Sequence, residues 1–181
     1  MSRLRLTLTA WLTGSVLAVT LVAQRGTDFS GSWVLNETQT RPAPDIPQRL
    51  VVEQPLTTTT NPRGEPMPPA YRTLYVKRYL GDVVQQDEYR IGVIGGTTSG
   101  LVGGRPSGDG GGRYEVTWRG DSRGDFLWIY RETYAASGAN IKRRGETWRI
   151  DNLGRLVISI ETRDNDEAAT TLTLAYRRDK P

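Results

Sequence analysis

No cysteine and no histidine occur anywhere in this chain of 181 residues. The first absence removes disulfides, thiolate nucleophiles and lipid attachment at cysteine. Together the two remove Ser-His-Asp and Cys-His catalysis and the usual zinc, haem and copper ligand sets. Neither a metal nor a cofactor is expected. General acid–base work would fall to carboxylates, lysine or tyrosine. Phenylalanine is scarce as well, with two residues against five tryptophans and eight tyrosines, so most aromatic rings here carry a polar edge. Long apolar runs are missing except at the N-terminus.

That exception reads as a secretory signal peptide. Arg3 and Arg5 form a positive start, residues 6–22 are uncharged and mostly apolar, and small residues follow at Ala18 and Ala23. Four threonines and a serine weaken the run as a membrane anchor. We read 1–23 as the signal peptide and 24–181 as one mature domain, periplasmic or extracellular; cleavage after Ala18 also fits. No later stretch is apolar enough to span a membrane. The leader holds two arginines and no acid, so the mature chain is less basic than the whole-chain charge of +4. Its charges are interspersed, as in Arg143-Arg144-Gly145-Glu146, which argues against a nucleic-acid partner. A domain of this size buries roughly 70% of its unfolded surface and needs no covalent staple.

The mature chain is rich in β-branched and aromatic residues with period-two alternation. In 113–119, Tyr114, Val116 and Trp118 share one face, while Glu115, Thr117 and Arg119 share the other. Similar runs at 49–54, 71–80, 83–94, 126–134, 140–150, 156–162 and 170–177 are separated by turn residues, notably 120–125, 151–154 and 164–166. No amphipathic helix is visible after the leader. The pattern predicts an all-β fold, an antiparallel up-and-down β-barrel of about nine strands, with apolar faces inward. Residues 41–47 and 61–69 are proline-rich and unsuited to central strands. Residues 95–112, with nine glycines, read as a long loop, a candidate mobile rim. That loop lacks the Gly-Lys-Ser/Thr of a phosphate loop.

Among carboxylates, Glu115 and Glu161 should face solvent, whereas Glu132 and Glu146 share the phase of Tyr130, Tyr134 and Trp148. Were those faces inward, each carboxylate would need a partner, and Arg131, Arg143 and Arg144 are near in sequence. The acidic stretch 161–167 lacks EF-hand spacing and reads as a solvated turn.

The segment Asp28-Phe29-Ser30-Gly31-Ser32-Trp33-Val34-Leu35-Asn36 resembles the opening of bacterial secreted lipocalin-like proteins. Their C-terminal half is matched by Glu146-Thr147-Trp148-Arg149-Ile150, by Asp151-Asn152-Leu153-Gly154-Arg155-Leu156, and by Tyr176-Arg177-Arg178. The resemblance covers most of the mature chain; the proline-rich and glycine-rich segments depart from it. It implies a calycin-type barrel in which Gly31 and Trp33 belong to the closed end. Arg178, in phase with Leu172, Leu174 and Tyr176, would pack over the Trp33 ring.

Three functions remain. The first is a non-catalytic barrel binding a small apolar or amphipathic molecule, lined by Tyr114, Trp118, Trp128, Tyr130 and Trp148. The second is an envelope interaction module with a filled core. The third is a hydrolase using Glu132 and Glu146 together.

Overall fold

The computed structural model describes residues 26–37, 45–92, 96–102, 111–122, 124–135, 140–165 and 167–179. The leader read over 1–23 and the centre of the glycine-rich segment, 103–110, lie outside them. The strands are β1 (Gly31–Leu35), β2 (Arg49–Glu53), β3 (Leu56–Thr57), β4 (Ala70–Tyr71), β5 (Thr73–Leu80), β6 (Val83–Arg90), β7 (Thr97–Val102), β8 (Gly112–Asp121), β9 (Gly124–Tyr134), β10 (Asn140–Ile150), β11 (Leu156–Asp164) and β12 (Thr170–Arg178). Among the described residues no helix is long and apolar enough to cross a membrane.

Ten strands form one antiparallel sheet in the order β6-β5-β2-β1-β12-β11-β10-β9-β8-β7. Apart from the small β3–β4 hairpin and the edge strands β6 and β7, which do not pair with each other, chain neighbours are sheet neighbours, and β1 pairs with β12 to curl the meander round. This is the nearly closed, up-and-down barrel shape that the alternation predicts. The strand beyond the expected nine includes β7, which falls inside the segment read as a loop. Glycines dominate that segment, but Thr97-Thr98-Ser99 and Leu101-Val102 favour extended backbone and pair with β8.

The sheet does not close by hydrogen bonding between β6 and β7. Side chains bridge that seam instead. Tyr114 meets Tyr89 edge to face at 5.2 Å, and its hydroxyl accepts from the Arg90 amide at 3.3 Å. Thr98 donates to the Arg90 carbonyl. Gly100 makes room for this: a Cβ there would lie 2.5 Å from the Tyr114 ring and hydroxyl.

Inward residues form the core: Leu50 and Val52 on β2, Leu74 and Val76 on β5, Val116 and Trp118 on β8, Leu127 and Ile129 on β9, Leu156 and Ile158 on β11. Each such side chain contributes about 1.5–3 kcal/mol on burial. One end of the barrel is filled. Phe29 stacks on Trp118 (5.8 Å, 10°) and abuts Trp148 edge-on at 6.0 Å. Trp33 is fully buried and its indole N–H donates to the Phe29 carbonyl at 2.9 Å. Arg178, opposite Trp33 in register, places its guanidinium carbon 4.5 Å from the Trp33 ring centroid and donates to the Ser30 carbonyl at 3.1 Å. Gly31, at φ +142°, allows this approach, because a Cβ would stand 2.7 Å from Arg178 Nη1.

Candidate functional site: the charged mouth of the barrel

Away from the closed end, the inward faces change character. On β5 the series Leu74, Val76 continues as Arg78 and Leu80. On β6 the inward Tyr89 is followed toward the mouth by Asp87 and Gln85. On β9 Ile129 is followed by Arg131, and on β10 Trp148 is preceded by Glu146 and Arg144. Register aligns them: Val76 pairs with Asp87, Arg78 with Gln85, and Arg131 stands directly opposite Arg144. Two cations facing one another need anions between them.

Glu146 and Asp87 are those anions. Glu146, 2% exposed, accepts from Arg144 Nε at 2.8 Å, Arg78 Nη2 at 3.2 Å and the Trp148 indole N–H at 2.8 Å. Asp87 binds the other terminal nitrogen of Arg78 and accepts from Arg131 Nη1 at 3.2 Å. Arg131 also donates to the Tyr89 hydroxyl at 3.1 Å. Burial would raise the Glu146 carboxyl, but Arg78, Arg144 and the Trp148 N–H outweigh it and hold it at about 2. Burial pulls Arg78 down, while Glu146, Tyr89 and Asp87 pull it further up, so it stays charged. Burial raises the Tyr89 and Tyr176 hydroxyls; the latter donates to the Pro47 carbonyl at 3.0 Å.

This layer floors a pocket of about 390 Å³, walled by Pro47, Leu80, Arg78, Arg131, Arg144 and Glu146. Among the described residues three guanidiniums meet two carboxylates, so this buried to half-buried layer carries one excess positive charge. Asp45 adds a carboxylate at the rim, where it is exposed and screened by solvent. Among the described residues, Arg144 bonds only through Nε, and its side chain is 34% exposed. The arrangement can receive an acid group in two-pronged fashion. Its most buried carboxylate, Glu146, is held ionised by these cations.

The five aromatic residues expected to line a cavity do not all meet at one site, though Trp128 and Tyr130 stack on each other at 5.4 Å. Trp118 and Trp148 are inward but belong to the packed closed half, and Tyr114 works at the β6–β7 seam. Of these only Trp148 reaches the charged layer, through its N–H. Trp128 and Tyr130 stand on the outer face, because the alternate β9 residues Leu127 and Ile129 take the interior. Glu132 shares that outer face. Burial would raise its carboxyl, but hydrogen bonds from Tyr134 (2.7 Å), Arg113 and Tyr130 (3.0 Å) hold it below the usual range. Glu132 and Glu146 therefore lie on opposite sides of the sheet, without the shared cleft a carboxylate pair needs. Among the described residues no group of three carboxylates is placed to hold a metal ion.

Sequence reasoning passed over Arg78 and Asp87. The available signal was phase: an arginine two residues beyond Val76 on an apolar face must be paired to be buried. Comparison of the chain with protein-family models, with curated proteins and with solved structures gives no match.

Proposed function

We propose that the protein is an exported, lipocalin-like barrel that binds one small amphipathic acid at its mouth and performs no chemistry on it. The observation that carries this reading is the charged layer, with one excess positive charge among the described residues, beneath a pocket of about 390 Å³. That volume lies toward the small end of ligand pockets, which run from about 300 to 1,000 Å³. Leu80 and Pro47 offer apolar wall to a ligand's body, and Arg144 and Arg131 offer charge-assisted hydrogen bonds to its head. The deeply depressed Glu146 carboxyl supports a binding role, since it keeps the arginines oriented across the physiological range.

Tryptophan fluorescence during titration with medium-chain fatty acids and aromatic acids tests this. The expected result is a saturable change that Arg144→Gln weakens. The filled-core interaction module draws on the packed closed half and on exposed Val83 and Val84 at the β5–β6 tip. It predicts no saturable response to any of these acids.

A further inference from the structure

The outer wall of the barrel carries a second hollow, separate from the mouth. Its floor is Gly145, which stands between Tyr130 on β9 and Glu161 on β11 in register. The hollow holds about 310 Å³ and is bounded by Trp128, Tyr130, Arg143, Glu161 and Arg163. It continues into a smaller recess of about 140 Å³ edged by Thr147, Ser159 and Thr171.

Among the described residues nothing requires a glycine at 145. Its backbone is not among the positive-φ glycines. Among the described residues a Cβ would meet only Trp128 Nε1, at an ordinary 3.7 Å. Glycine inside a strand is destabilising, and it marks a bulge, a bend of a barrel wall or a place kept open for close approach; the hollow above Gly145 favours the last.

The surroundings of that opening are electropositive. Arg143 and Arg163 stand directly opposite each other across β10 and β11, a pairing that repels. Glu132 lies 3.9 Å from Arg143 on the far side, but it is also bound by Arg113. Arg163 has no ion-pair partner among the described residues. Trp128 is stacked by Tyr130 (5.4 Å, 10°), and the Arg119 guanidinium carbon lies 4.4 Å from its centroid. It is the indole edge that borders the hollow, with Nε1 nearest the missing Cβ. Ring edges carry partial positive charge, and this N–H has no acceptor among the described residues. Glu161, exposed and without an ion pair among them, is the acceptor at the same site.

We propose that this hollow binds a small hydroxylated anion, a sugar acid or a sugar phosphate. Its oxyanion lies between Arg143 and Arg163 and accepts from the Trp128 indole. Its hydroxyls run over Gly145 to Glu161 and to the threonine and serine hydroxyls beyond. The shared chemistry is an oxyanion on a polyhydroxylated ring, and the two sources differ in the anion.

The test follows the Trp128 indole N–H resonance, identified by its loss in Trp128→Phe, at constant ionic strength. Glucuronate, glucose 6-phosphate and glucose are added in parallel. A saturable shift with either anion and none with glucose is expected, and the responding anion names the source. Arg163→Gln removes a charge-assisted bond and should raise the half-saturation concentration about tenfold or more. Gly145→Thr fills the floor and should abolish the shift while leaving the buried indole resonances in place. Arg144→Gln, at the mouth, should leave it unchanged, so this site stands or falls apart from the mouth. The proposal is overturned if neither anion shifts the resonance, if glucose matches them, or if the shift survives in Gly145→Thr.

Discussion

At the residue scale the decisive group is Glu146. It is buried and serves Arg78, Arg144 and the Trp148 indole at once. Removing one member of a buried ion pair strands the other charge and costs about 3–5 kcal/mol. Glu146→Ala should therefore lower unfolding free energy by roughly that amount in denaturant titration. Adding Arg78→Met should cost less than the sum of the two single changes, because the stranded cation is gone. Gly31 is the second such residue. Gly31→Ala combines a φ of +142° with a contact of 2.7 Å to Arg178, and a loss of about 1–3 kcal/mol is expected in the same measurement. How much of this the amino-acid order reveals differs between the two ends of the barrel. The closed end is legible because Gly31, Trp33 and Arg178 sit in recognisable short patterns. The charged mouth is not, because Arg78 and Glu146 are 68 positions apart and only the barrel's curvature joins them.

At the element scale, β8 alternates so cleanly that its inward residues follow from phase alone. β9 misleads, because its larger rings, Trp128 and Tyr130, point outward while Leu127 and Ile129 fill the interior. Side-chain size carries no information about which face of a sheet is buried; only neighbouring strands decide. β7 was obscured by the glycines around it, although one of those, Gly100, is what lets Tyr114 cross the seam. The seam itself yields a prediction. Tyr114→Phe removes the acceptor of the Arg90 amide and should cost about 0.5–1.5 kcal/mol. Amide exchange should quicken at Arg90 and along β7, while β10 and β11 keep their protection. Uniform loss of protection across the sheet would show that the seam is not a local unit.

At the scale of the whole molecule, the interior is divided into a packed aromatic floor and a charged upper layer. That division makes stability depend on acid. Glu146 has its folded value near 2, below the 4.5 of a free glutamate, so the unfolded chain binds this proton more tightly. Its contribution, on the order of 3 kcal/mol, is complete above about pH 5 and is lost as pH falls toward 2. Thermal melts between pH 7 and pH 2 should fall most steeply in that interval, and Glu146→Gln should flatten the fall.

The same layer is the centre of the functional account, and calorimetric titration tests it most directly. A medium-chain fatty acid and the alcohol of equal length are compared at neutral pH, on the native chain and on Arg144→Gln. Saturable binding of the acid at one site is expected, weaker at high salt and about tenfold weaker in Arg144→Gln, with the alcohol bound far less well. Equal binding of acid and alcohol, or acid binding indifferent to Arg144, would contradict it.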